Sequence, residues 1–358
     1  MPKRLFRRLG IHSTLLPTFI ACTLLTLVTF AAFAYPQESQ TRTQERRREN
    51  SQPNATSNDA RIHVLRVQGN IYMLTGAGAN ITLQVGEDGV LLVDTGLPQM
   101  SDNVLAAIRS VTDKPIRWII NTSLDLDHAG GNAAIAKMGE TLNPIANEGP
   151  AEIKGAAIIA TQEAVDRLSA LKGEDSIPEA GWPGDTYTGR EKYIVFNGET
   201  VRMLHEPAAH TDGDSFVVFH RSDVVSTGDI FTTTEYPVID LKRGGSIQGV
   251  INALNHLIYE IAAPGTDQEE GGTMIIPGHG RLCDRADVVY YQEMVTIIRD
   301  RIQYFISKGM TLDQVKQARP TRDYDPRYGA DSGPWTTDMF VEAVYKSLAG
   351  NKETAKRQ

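Results

Sequence analysis

Residues 116–121 form a short apolar run that opens into Asn-Thr-Ser-Leu-Asp-Leu-Asp-His-Ala-Gly-Gly-Asn, residues 121–132. A buried strand that hands over to a loop this dense in titratable groups, and then to a Gly-Gly step into a helix, constrains the fold more than any composition figure. It predicts an α/β protein with polar residues at the C-terminal end of a strand, where loops on rigid supports carry chemistry. In an extended loop alternate side chains face the same way, so Ser123, Asp125 and Asp127 are expected to share one space. His128 then turns the other way at the helix start and reaches a neighbouring position.

Four further stretches stand in a fixed order around this loop. Asp94 ends the run Gly89–Val93 in Val-Asp-Thr-Gly, His210 lies in Ala-His-Thr-Asp-Gly-Asp, Asp229 in Thr-Gly-Asp-Ile-Phe, and His279 in Ile-Ile-Pro-Gly-His-Gly. Each is common by chance; five in order across roughly residues 62–305 are not. Together they resemble the metallo-β-lactamase superfamily, whose motif reads Thr-His-x-His-x-Asp-His-x-Gly-Gly. Asp127, His128, Gly130 and Gly131 stand where that pattern has them, while Ser123 and Asp125 replace its two leading histidines. The resemblance implies an αββα sandwich, with helices outside two facing sheets and a site along one edge.

It also implies a ligand set. By position, a first metal would take residues 123, 125 and His210, and a second would take Asp127, His128 and His279. Asp229 resembles the bridging carboxylate of glyoxalase II-like hydrolases. The second set suits a divalent ion with room for water; zinc is expected, one or two ions, with manganese or iron open because carboxylates are numerous. Such an ion brings the pKa of its water to about 7 and polarises a carbonyl. Serine is a poor zinc ligand, so Asp125 has two open roles: ligand to a harder second ion, or general base beside a single one. Asp125 and Asp127 are the candidate catalytic carboxylates. The activity expected is hydrolysis of an ester, lactone, thioester or amide in a small-molecule substrate through a metal-bound hydroxide. The alternative is a binding protein on the same scaffold that no longer turns over.

Other polar residues are expected to be structural. Asp94 orients the loop, Asp212 and Asp214 cap the turn after His210, and His63, His205, His220 and His256 sit on or beside strands and a helix. His205 is near enough to the site loop to support it. Trp182, in the long loop 172–192, has two open roles: a wall of the substrate pocket, or a residue that packs the loop down. Cys283 is the only cysteine beyond residue 34 and reads as a plain buried thiol, so no thiolate zinc cluster is available.

Along the chain, strands are expected at 62–67, Ile71–Thr75, 81–85, 90–94, 116–121 and 156–161, with helices at Ser101–Val111, 130–138 and from 162 to 171. Strands at 193–197, 200–205, 215–220, 224–227 and Met274–Ile276 follow, with helices at 246–261, 288–307 and 337–348. Residues 143–155 look like an insertion. Residues 60–310 make the metallo-β-lactamase-like domain and 311–358 a C-terminal helical extension.

Residues 1–34 have a basic start (Lys3, Arg4, Arg7, Arg8), an apolar run over 15–34 and Ala32-Phe33-Ala34, the pattern of a signal peptide cleaved near Tyr35. The expected location is therefore periplasmic or secreted, with an uncleaved membrane anchor as the alternative. Residues 35–59 are polar without apolar period and read as a disordered linker. The formal charge of −8 becomes more negative once the basic leader is removed, and no basic track for phosphates is present, which argues against a nucleic-acid partner.

Overall fold

The first half of the chain builds one sheet in sequence order. Strands β1 (His63–Arg66), β2 (Ile71–Thr75), β3 (Ile81–Gly86) and β4 (Gly89–Val93) form an antiparallel meander. β5 (Ile116–Ile120), β6 (Ala157–Thr161) and β7 (Asp185–Tyr187) then add in parallel. Parallel neighbours need crossovers. They carry α1 (Ser101–Val111), the single turn α2 (Leu126–Ala129), α3 (Asn132–Lys137) and α4 (Gln162–Leu168). A second sheet holds β8 (Glu191–Phe196), β9 (Glu199–His205), β10 (Ser215–Phe219), β11 (Val224–Ser226) and β12 (Met274–Ile276), antiparallel except for the parallel pair β11–β12. Helices α5 (Ile247–His256), α6 (Arg285–Ser307), α7 (Leu312–Gln317), α8 (Asp325–Tyr328) and α9 (Thr337–Ala355) complete the fold.

The structure, a computed structural model, describes residues 61–141, 155–168, 173, 176–265 and 272–355, with side chains described to 350. All lie in one unit, Asp59–Gln358. The expected signal peptide, the linker, the insertion at 143–155 except Gly155, and the helix end toward 171 lie outside the described residues.

The period of two in each central strand explains the layering. On β4, Leu91 and Val93 face the second sheet, where they meet Met203, Val217 and Phe219; Val90 and Leu92 face outward, onto Val104 and Ile108 of α1. β10 repeats the logic: Val217 and Phe219 point between the sheets, while Phe216 and Val218 pack under α5, α6 and α9. Both strands are buried along their whole length, and each such side chain contributes about 1.5–3 kcal/mol. The result is the αββα sandwich, helix on sheet on sheet on helix.

Two expectations need correction. Residues 123–127 do not all run extended. Asp125 is extended (φ −72°, ψ 151°), but one helical turn begins at Leu126, so Asp127 and His128 are delivered by α2 rather than by strand alternation. The loop 172–192 contains β7, an edge strand of only three residues and too short for its period to register in sequence. The helix expected over 246–261 is present, with α5 running on into a π-type turn at Leu257–Ile261.

Candidate metal centre

The site sits at the C-terminal ends of β5, β11 and β12 and in the β9–β10 loop. The β11–β12 pairing explains how Asp229 meets His279. Ser226 and Ile276 share a rung of the parallel ladder, and each polar residue lies three positions beyond it. Close backbone approach is built in: a Cβ on Gly278 would lie 2.4 Å from Asp229 Oδ1, and one on Gly130 would lie 2.3 Å from the Leu126 carbonyl oxygen. Both glycines are therefore required by space.

The ends of the motif clasp one another, which sequence reasoning missed. Asn132 Nδ2 donates to Asn121 Oδ1 at 2.8 Å, and Asn121 Nδ2 returns a bond to Asn132 Oδ1 at 3.2 Å. Asp94 braces the middle from below. Its backbone adopts φ 65°, a left-handed conformation that aspartate tolerates. The carboxylate accepts from Thr122 N–H (2.8 Å), Thr122 Oγ1–H (2.6 Å) and His128 Nδ1–H (2.8 Å). The expectation that Asp94 orients the loop matches this geometry.

Asp127, His128 and His279 form one group, and Asp125, His210 and Asp229 another; within each group, one ligand atom per residue lies within 4.8 Å of the others. In the first group His279 Nε2 is 3.1 Å from Asp127 Oδ2 and 3.4 Å from Asp229 Oδ1. His128 Nε2 is 3.1 Å from Asp229 Oδ1, yet neither atom has a hydrogen-bond partner, although both are buried. Two orphaned buried atoms are costly unless something else answers them. With Nδ1–H spent on Asp94, the His128 Nε2 lone pair is free to ligate, the arrangement by which outer carboxylates orient metal-bound histidines. The donor set of two imidazoles and two carboxylates fits a divalent cation.

The electrostatics favour a cation in the same place. Burial works to lower the His128 pKa, but Asp229 and Asp94 outweigh it and raise it well above the ordinary value. His279 is likewise raised against burial, by Asp127 and Asp229. Burial works to raise the carboxyls of Asp229 and Asp127; the histidines around them prevail and hold both low.

The second group is arranged differently. Asp125 Oδ2 accepts from His210 Nε2 at 2.7 Å and from Arg243 Nη2 at 3.1 Å, and Arg243 Nη1 donates to Oδ1. Against burial, His210 and Arg243 keep the Asp125 carboxyl well below the carboxylate range. Despite its burial, His210 is pushed up to about 10, chiefly by its bond to Asp125. Ser123 joins neither group; its hydroxyl oxygen accepts from Asp125 N–H at 3.3 Å. Arg243 is a site residue that the motif gave no reason to expect, because its segment, Leu-Lys-Arg-Gly-Gly, reads as an exposed turn.

This arrangement places two clusters of candidate metal-ligand residues on loops at one edge of an αββα sandwich. The sequence model of the metallo-beta-lactamase superfamily matches residues 74–279, more than half of the chain. The chain belongs to the metallo-beta-lactamase superfamily. Solved structures of similar fold include the stereoselective inverting sec-alkylsulfatase Pisa1 from Pseudomonas sp., at 14% identity and a TM-score of 0.56. The match covers 83% of this chain and 52% of that one, so this chain spans about half its length. DIM-1 metallo-beta-lactamase matches at 15% identity and a TM-score of 0.48, over 66% of this chain and 97% of that one. Among curated proteins no sequence matches.

The remaining polar residues of this superfamily member are supports. Asp214 accepts from Thr211 N–H and Thr211 Oγ1–H, both at 2.7 Å, and so closes the turn after His210. Asp212 instead pairs with Arg167. His205 Nε2 bonds the Asp212 carbonyl oxygen at 2.7 Å, beneath the same loop. Trp182 packs with Leu124, Ala160 and Ile177 and donates to the Ile177 carbonyl at 2.8 Å, which is the loop-fastening role. Cys283 is buried, and burial raises its thiol pKa.

Proposed function

We propose that this chain is an exported metal-dependent hydrolase that cleaves an ester, lactone, thioester or amide bond in a small molecule. The observation that carries the reading is the orphaned pair His128 Nε2 and Asp229 Oδ1, buried beside Asp127 and His279. A divalent ion there, zinc by donor chemistry with manganese or iron open, supplies an activated water at neutral pH and polarises the scissile carbonyl. The chain's own residues do the positioning. Asp94 fixes the His128 ring, and Asp229 brings charge from the second sheet. Asp127 is the more open carboxylate, 32% exposed against 14% for Asp229, and is placed to exchange a proton with water. Asp125 is a poor proton acceptor, since both its oxygens are bonded by cationic groups.

The test is turnover of a panel of esters, lactones, thioesters and amides by metal-loaded and metal-stripped protein, with His279→Ala as control. The alkylsulfatase neighbour adds an alkyl sulfate to that panel. Metal-dependent turnover of one class, absent from His279→Ala, is expected. Metal binding with no turnover of any class would favour the binding-protein alternative. Export is supported by the basic start, apolar run and Ala32-Phe33-Ala34; among the described residues no helix is long and apolar enough to cross a membrane. The intact mass of natively expressed protein should place the mature N-terminus at or near Tyr35, and retention of the apolar run would replace this with a membrane anchor. The acidic charge supports a small-molecule substrate over a nucleic acid.

A further inference from the structure

We propose that Arg243 takes the place of a second metal ion, so that the half of the centre built on Ser123, Asp125 and His210 is held by a guanidinium and the enzyme carries a single metal. This rests on the metal-centre reading above and goes beyond it.

A metal site needs lone pairs that are not already spent. Asp125 has little to spare: Arg243 bonds both its oxygens and Oδ2 also accepts from His210, so three of its roughly four lone-pair sites are taken and a guanidinium covers both oxygens. His210 is bonded at both ring nitrogens, Nδ1 to the Val238 carbonyl oxygen at 3.0 Å and Nε2 to Asp125. Both ring nitrogens are thus engaged by acceptors, and neither is turned toward an open position. Ser123 is a weak donor engaged with the loop backbone. Asp229 keeps an oxygen without a hydrogen-bond partner, and that oxygen faces His128.

Arg243 is held in place rather than lying across the site by chance. Its Nε donates to Asp240 Oδ2 at 2.7 Å, its backbone N–H to Asp240 Oδ1 at 3.1 Å, and Asp240 N–H bonds the His210 carbonyl oxygen at 2.9 Å. The planar fork of arginine matches a carboxylate at two points, a fit that lysine cannot reproduce. Asp125 and Asp240 are both paired with Arg243, whose guanidinium is a fixed cation. Around the other half, Asp94, Asp127 and Asp229 surround two histidines with no fixed cation. That half calls for a dication; this one does not.

The experiment is metal stoichiometry by plasma emission on protein loaded with excess zinc and freed of unbound ion. One zinc per wild-type chain is expected. In Arg243→Ala, Asp125 regains the lone pairs that the guanidinium held, beside Asp229 and the His210 ring, and a second zinc should bind; the double variant Arg243→Ala, Asp125→Asn should return to one. Two zinc ions in the wild type, or one in a folded Arg243→Ala, overturns the inference while leaving the hydrolase reading intact. No zinc in the wild type overturns the metal-centre reading and this inference with it. If Arg243→Ala does not fold, the wild-type zinc count decides between one ion and two.

Discussion

Asp127, His128 and His279 meet Asp229 with two buried polar atoms unpartnered, His128 Nε2 and Asp229 Oδ1, whereas Asp125 and His210, on the other side of Asp229, meet with every side-chain oxygen and ring nitrogen bonded. Both groups hold the residue types of a metal site, and both bring their atoms within the same span. The difference lies in what the surroundings have done with the lone pairs. On one side Asp94 consumes only the far nitrogen of His128 and leaves the near one aimed inward. On the other, Arg243 consumes the carboxylate itself. Residue type is thus a necessary condition for a metal site, and unspent coordination is the deciding one.

The largest effect should come from deleting a ligand on the open side. His279→Ala should lose bound metal, by more than the 10–100-fold that removing an outer support costs, while Ser123→Ala should retain it. Equal loss in both, measured by metal analysis after dialysis, would mean that the two halves have been assigned the wrong way round.

Removing the support comes next. Asp94→Asn keeps the shape but cannot accept from Thr122 N–H, Thr122 Oγ1–H and His128 Nδ1–H together. A fall of about 10–100-fold in metal affinity is expected from competition with a chelating dye. Asp125→Asn should leave that affinity unchanged and, by loosening Arg243, lower turnover by about 10²-fold. If Asp125→Asn weakens metal binding as much as Asp94→Asn does, the comparison between the halves fails.

Packing around the open half gives a smaller and more structural effect. In Gly278→Ala the new Cβ would lie 2.4 Å from Asp229 Oδ1 and 2.7 Å from the Gly228 carbonyl carbon. The loop must yield, which should cost about 1–3 kcal/mol of stability together with metal affinity, since Asp229 moves. A thermal melt and affinity that both match the wild type would show that the β11–β12 loops are looser than their contacts imply.

The strands and the open half were legible in sequence because they rest on local rules. Unbroken apolar runs such as Val90–Val93 and Phe216–Phe219 announce buried strands, and motif residues such as His128 and His279 come with their neighbours attached. The closed half was not legible. Arg243 lies 118 residues from Asp125, on a turn whose sequence carries no period and no motif, and it reaches the site only because Asp240 bonds the His210 loop. The helical turn at Leu126 was hidden for a related reason: alternation predicts where strand residues point, but α2 is too short for a helical period to register.

The smallest effect expected concerns the footing of the closed half. Glu206 stands at the base of the His210 loop, where its backbone N–H bonds the Asp214 carbonyl oxygen at 2.9 Å and its side chain meets His256 Nδ1 at 2.5 Å. Burial pushes its carboxyl up from the ordinary 4.5 to about 7, with His256 pulling the other way. A carboxyl that titrates higher in the folded chain than in the unfolded one binds its proton more tightly when folded. It therefore favours folding fully below pH 4.5, and that contribution drains away as the pH rises to about 7. The wild type should accordingly lose on the order of 1 kcal/mol more stability than Glu206→Gln between about pH 5 and pH 7.5. Denaturant unfolding at fixed ionic strength and saturating metal measures this. Parallel losses in the two proteins would show that the Glu206 carboxyl gives the His210 loop no pH-dependent support.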